Sequence, residues 1–319
     1  MEEKKFDPYQ FIGFILIALI LTWMLYRNGP AEDAATESVN SEQVLQKNAN
    51  KVPPIQQNDS VIQQQTITAY GDLGSLFVPT NQKPIKLTTD QMTLELNSKG
   101  GQLSKLTLNS YQNFEDAPIP MINEGNTDFN IEITALDGRI LNTRDMFFTS
   151  STQDGAEGFE VEMKAALSAQ QYILFQYRFP KEGHLYSFSV KTVGMRLVIN
   201  PSIAPNIVWK TDVFRNSRSI DYENRYTEYT FGYEEDRVDY LSLNGSDQET
   251  RQSIRWISYR QHFFSAILIP ESPIAEAKIS SVDRSSEESL NEKYTKTFAT
   301  TYALNAGGEL DTNLKFYYG

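Results

Sequence analysis

The chain has 319 residues, with 41 acidic and 29 basic side chains, a net charge of −12 and no cysteine. The acidic balance excludes nucleic acid as a partner, and adhesion of the body to anionic lipid, because both need basic patches. The absence of thiols excludes disulfides, thiolate metal sites and cysteine nucleophiles.

The first element is Phe11–Tyr26, sixteen residues without a charge. Asp7 suits an N-cap and Pro8 a first helical position, while Arg27-Asn28-Gly29-Pro30 stops the helix. Residues 9–27 are therefore expected to cross the lipid bilayer as one helix, about 27 Å long from Tyr9 to Tyr26 at ~1.5 Å per residue. Lys4 and Lys5 precede it and Arg27 alone follows closely, which places residues 1–8 in the cytoplasm and the bulk of the chain outside. A cleaved signal peptide is the alternative. The bulky Trp23, Leu25 and Tyr26 near the segment's end, and the lack of a small-residue cleavage site, argue for a retained anchor.

Residues 28–84 are poor in aromatics and rich in Gln, Asn, Ser and Ala, the composition of a flexible solvated tether. Within them Leu76-Phe77-Val78 reads as an incidental apolar triplet.

From residue 85 to 319 the hydrophobic period is two. Met92, Leu94 and Leu96 alternate with polar residues, Gly100-Gly101 turns the chain, and Leu106 and Leu108 resume. Phe129, Ile131 and Ile133 follow, with Asp137-Gly138 as a hairpin turn. Further strands are expected at Phe159–Met163, Ile173–Phe179, Tyr186–Val190 and Leu197–Ile199. Others are expected at Ile254–Ile269, Ile274–Val282, Tyr294–Leu304 and Leu314–Tyr318. Helix is expected only in short connections such as Ser285–Asn291. Many short strands about ten residues apart argue a mainly β fold, a large antiparallel sandwich.

Chemistry is sparse. The two histidines, His184 and His262, stand at strand edges and read as structural; the acidic clusters Glu234-Glu235-Asp236 and Glu287-Glu288 read as solvated turns. No metal-protease, nucleophile-elbow or phosphate-loop pattern occurs, and no cofactor or metal is expected. The aromatic series from Tyr222 to Tyr240 has two readings. Tyr226, Tyr229 and Tyr233 suit a face that stacks on sugars or an extended polypeptide, and equally suit cross-strand packing within the sheet.

Three stretches resemble the YidC membrane-protein insertase family of bacteria: the N-terminal anchor, Ile85–Tyr111, and WISYRQHFFSAILIP from Trp256 to Pro270. In the last, Trp256, Gln261, Phe263 and Phe264 fall on the positions of that family's W-x-x-x-x-Q-x-(F/Y)-F stretch. The closing LKFYYG is similar to the strand before that family's later helices, and the Gln/Asn-rich tether is similar to Bacteroidetes members. The resemblance implies a periplasmic β-supersandwich, akin to galactose mutarotases, behind an inner-membrane anchor. It also implies a part in membrane-protein insertion, with nascent inner-membrane proteins and the Sec translocon and its accessory subunits as partners. No residue of that family's insertion groove is present to be assigned. Trp256, Tyr259, Gln261, Phe263 and Phe264 are the candidate partner contacts; Phe263, Phe264, Ile267 and Ile269 also fit a plain core strand. The alternative reading is a membrane-anchored carbohydrate-binding or mutarotase-like protein.

Overall fold

A computed structural model describes residues 70–319, except 124, 286, 288 and 291. The expected membrane helix 9–27 and most of the tether lie outside the described residues. Among the described residues no helix is long and apolar enough to cross a membrane.

The architecture is mainly β, as the period-two alternation predicts. Eighteen strands run in chain order: β1 Ile85–Thr88, β2 Met92–Leu96, β3 Leu103–Gln112, β4 Pro118–Ile122, β5 Thr127–Thr134, β6 Ile140–Asn142, β7 Thr149–Asp154, β8 Gly158–Ala166, β9 Tyr172–Pro180, β10 Leu185–Val193, β11 Asn206–Phe214, β12 Glu228–Tyr233, β13 Arg237–Tyr240, β14 Asp247–Arg260, β15 Ser265–Pro270, β16 Ile274–Asp283, β17 Tyr294–Ala303 and β18 Asp311–Tyr318. The first four form an antiparallel sheet of their own. The other fourteen form one sheet whose main path runs β6-β5-β11-β17-β16-β14-β15-β18-β10-β9-β8-β7, with β12 and β13 attached to β14.

This long sheet forks at β14. Residues from Asp247 to Ile254 pair with β16, whereas Ile257–Arg260 pair with β15. β15 continues to β18 and β16 continues to β17, so one strand feeds two wings. Ser253 marks the break with a φ of 55°, and the pairing of β12 with β14 shifts register beside it. Such an irregularity bends a strand and lets one sheet close on itself. The inner faces of the wings then meet: Phe129 of β5 packs edge-on against Phe188 of β10, and Trp209 of β11 against Phe316 of β18. The small sheet joins the same core. Gly101 turns at a φ of 60°, with no room for a Cβ beside Phe148, and its carbonyl accepts from the Tyr177 hydroxyl at 2.8 Å.

Three expectations change. The stretch expected to be tether carries a 3₁₀ turn at Gly71–Phe77 whose Leu73, Leu76 and Phe77 are buried, so residues 71–77 pack into the core and are not solvated tether. Leu197 and Ile199 form no strand. Met195–Leu197 is a 3₁₀ turn that buries Met195 and Ile199 and leaves Leu197 82% exposed. The described residues of 285–291 lie in turns and irregular backbone; the short helix α1 is Ile220–Arg225 instead.

Candidate functional site

An exposed aromatic corner is built around the turn between β14 and β15. Its foundation is α1. Ser219 caps this helix by accepting from the Tyr222 N–H, Asp221 and Glu223 occupy the first turn and Arg225 the last, each suited to the helix dipole. Glu223 is buried. Its carboxylate accepts from the backbone N–H of Asn216 at 2.9 Å and of Ser217 at 2.8 Å, pinning the loop that leads into the helix. Burial pushes its pKa up, against the pull of those N–H bonds and of Arg215.

Asn216 carries the connection onward by donating its side-chain amide to Gln261 Oε1 at 2.8 Å. Gln261 is itself buried, and its N–H closes the turn onto the Phe264 carbonyl at 2.7 Å. With Gln261 held inward, the next two side chains go outward. Phe263 is 72% exposed. His262 lies 3.8 Å from it between ring centroids, stacks on Tyr226 at 4.8 Å and meets Tyr222 edge-on at 5.2 Å. On the other flank Tyr111, at the end of β3, meets Phe264 edge-on at 5.4 Å. A hollow of about 640 Å³ separates the turn from the β3–β4 loop and is lined by Tyr111, Phe114, Arg218, Phe263 and Phe264. Gly319 borders it, exchanging backbone hydrogen bonds with Ser265. Exposed Tyr, Phe and Arg side chains around one depression are the composition of a protein interface centre.

The sequence candidates divide across this corner. Phe263 and Phe264 are brought together there, and Gln261 is the buried pin beneath them. Tyr259 is removed from the surface: its ring is in the core, stacked on Trp209 at 3.8 Å, and its hydroxyl donates to the Trp209 carbonyl at 2.7 Å. Trp256 lies half-buried across the β12–β14 pair, where its indole covers Gly232 so closely that a Cβ there would stand 2.2 Å from its Nε1. The plain core reading fails for Phe263, which sits in the turn ahead of β15; within the strand Ala266 and Leu268 point inward and Ile267 and Ile269 are part-exposed.

The stacking series does not form one face. Tyr229 is wholly buried and bonded to Thr300, Tyr233 is part-buried against Phe231, and only Tyr226 reaches the aromatic corner. Tyr111, Tyr222 and His262 belong to the corner, and the sequence reading does not group them. The signal available is the break in alternation at the end of β3 and the Ser-x-x-x-Glu start of α1, which takes Tyr222 and Tyr226 off the strand pattern.

Residues 84–319 match the family described as the YidC periplasmic domain, and the chain belongs to that family. It is 26% identical to the membrane protein insertase YidC of Parabacteroides distasonis, over 98% of this chain and 51% of that protein. It is 24% identical to the one of Phocaeicola vulgatus, over 98% of this chain and 50% of that protein. The chain thus spans about half the length of the curated relatives it matches. Among solved structures it is similar to a putative aldose 1-epimerase of Escherichia coli K12, with a TM-score of 0.46 and 7% identity over 74% of this chain and 99% of that one. It is also similar to a galactose mutarotase-like protein of Lactobacillus casei, with a TM-score of 0.47 and 10% identity over 74% and 100%.

Proposed function

We propose that this chain supplies the anchor and the periplasmic interaction domain of a membrane protein insertase. In this reading residues 9–27 hold it in the bacterial inner membrane, residues 1–8 are cytoplasmic, and the β body works in the periplasm. The whole protein assists insertion and folding of nascent inner-membrane proteins, alone or with the Sec translocon and its accessory subunits. The domain's part is contact, not chemistry. Its family membership and the insertase name of its relatives support the setting.

The observation that carries the contact role is the exposure of Phe263 inside a collar of Tyr111, Tyr222, Tyr226, His262 and Phe264. A ring of that size held open to water forgoes about 1.5–3 kcal/mol of burial and is well suited to a partner's pocket. A sugar-binding role is weakened by Tyr229, whose ring is closed in the core and offers no platform. A catalytic role is weakened because both histidines are engaged in packing. His184 Nδ1 lies 2.7 Å from the Tyr318 carbonyl, and His262 is wrapped by tyrosine rings.

The test is co-purification from membranes of the full chain and of a Phe263→Ala, Tyr222→Ala double variant. The expected result is an unchanged thermal midpoint with loss of translocon or insertase components. Retention of every component by the double variant contradicts the assignment.

A further inference from the structure

Four turns of the body converge on a hollow of about 400 Å³ that shares no residue with the aromatic corner. Each turn brings a leucine to it: Leu73 from the 3₁₀ turn Gly71–Phe77, Leu136 from the β5–β6 turn, Leu167 from the β8–β9 turn and Leu197 from the turn Met195–Leu197. Two of the turns are bonded together, the Leu136 N–H donating to the Val198 carbonyl at 2.8 Å. Turn tips ordinarily carry Gly, Pro, Asn, Asp or Ser, which meet the turn geometry and face water. Here Leu73 is buried at the base, while Leu136 is 52% exposed and Leu197 82%. The rim is therefore apolar and open.

The chain itself delivers an occupant to this rim. Tyr70 stacks on Phe77 at 3.9 Å between centroids and has right-handed helical backbone; Gly71 follows at a φ of 56°, the left-handed conformation that ends a helix. Upstream, Ser60-Val61-Ile62-Gln63 has the Ser-x-x-Gln spacing of a capping box. Between these start and stop signals, residues 60–69 carry no charged side chain. On a helix ending at Tyr70, the residues Ile62, Thr66 and Ala69 share its face, at the i, i+4, i+7 and i+8 spacing. Ile62 then stands about 12 Å from Tyr70 at ~1.5 Å per residue, long enough to lie across the hollow. The charges beside the leucines do not oppose this. Asp137 and Arg139 are paired at 2.6 Å, and an uncharged segment covers the rim without burying a charge of its own.

We infer that residues 60–69 dock on this leucine rim as a short helix, with Ile62 and Ala69 against Leu136 and Leu197. Docking makes the segment part of the β body and leaves residues 28–59 as the tether. The assignment is independent of the Phe263 corner and of any partner bound there.

The chain has no cysteine, so paired cysteines report the contact in the full chain in detergent. Ile62→Cys is combined in turn with Leu136→Cys, with Leu197→Cys and, as the control, with Val238→Cys, which is also exposed but lies on β13. Mild oxidation, followed by gel mobility and mass spectrometry of the linked peptides, is expected to join residue 62 to residue 136 or 197 within one chain at least tenfold faster than to residue 238. Hydrogen exchange gives a second readout without cysteines. Amides of residues 60–69 are expected to exchange at least tenfold more slowly than those of residues 40–49, and the double variant Leu136→Gln, Leu197→Gln to remove that difference. Both leucines are exposed, so the double variant keeps the core, which its near-UV circular dichroism checks. The inference is overturned by equal linking rates at all three positions, or by exchange of residues 60–69 that the double variant leaves unchanged. Links formed only between two chains overturn it as well, and would assign the hollow to a second copy.

Discussion

Tyr259 binds Trp209 twice, stacking on its indole at 3.8 Å between centroids and donating its hydroxyl to the carbonyl of the same residue at 2.7 Å. The two residues belong to strands that are not neighbours in the sheet. β14 reaches β11 only because its second half leaves the β16 ladder at Ser253 and folds back. The contact therefore closes the fork from which both wings grow.

The same pair orders a buried hydrogen-bond chain. The Tyr259 proton goes to the Trp209 carbonyl, so the Thr300 hydroxyl, 2.8 Å away, donates to Tyr259 and accepts from Tyr229 at 2.6 Å. Burial of both tyrosines raises their pKa far above the ordinary range, which keeps the chain protonated at any physiological pH. Thr300→Val preserves the volume and cuts the chain in the middle: Tyr259 keeps its bond to the Trp209 carbonyl, and the buried Tyr229 hydroxyl loses its acceptor. The expected loss is about 1–3 kcal/mol in urea unfolding, the cost of one buried group left unsatisfied. A loss below ~0.5 kcal/mol would show that the Tyr229 hydroxyl re-pairs elsewhere.

Gly232 and Trp256 make a second, simpler lock. The indole lies on the glycine across the β12–β14 pair, and a methyl group at residue 232 would overlap its Nε1. Gly232→Ala is expected to displace the ring, with a red shift of Trp256 emission and a stability loss of about 1–3 kcal/mol, as for overpacking. Unchanged emission from the variant would contradict the packing described.

Glu223 gives the corner a pH dependence. Its folded pKa is raised above the ordinary 4.5, with burial the largest cause. The protonated form is thus favoured in the fold, and this contribution to stability is fully present below pH 4.5 and lost as pH rises through the folded value. In urea unfolding series, wild type should gain on Glu223→Gln as pH falls from 7 toward 4.5. A constant gap, or one that narrows on acidification, contradicts the sign.

Much of the β architecture is legible in the chain, because strands with one core-facing side announce themselves by alternation. The strands that escape this signal have local reasons. β4 contains Pro118 and Pro120, which argue against a strand; it survives because it is the edge of the small sheet, where a missing N–H costs little. β7, Thr149–Asp154, has no apolar residue to show a period and is likewise an edge. β11 follows the turn-rich Pro201–Pro205 stretch and places Thr211 at an inward position, so its alternation of Ile207, Trp209 and Val213 is interrupted.

The candidate site is harder to read from sequence. Tyr229 and Phe231 lie on one side of β12 whichever way that side faces, and an aromatic ring serves a core as well as a ligand platform. Only the neighbouring strands decide that it faces the core. At Phe263 the deciding residue is Gln261: a polar side chain pinned to Asn216 turns its successors outward, and that partner is 45 residues away in sequence.

Photocrosslinking from residue 263 puts the contact role to its sharpest test. p-Benzoylphenylalanine would replace Phe263 in the full chain in bacterial membranes, with Leu197, similarly exposed on a different turn, as the control position. Discrete adducts to insertase or translocon components are expected from residue 263 and none from residue 197. Adducts absent at both positions, or the same at both, would rule out Phe263 as a partner contact.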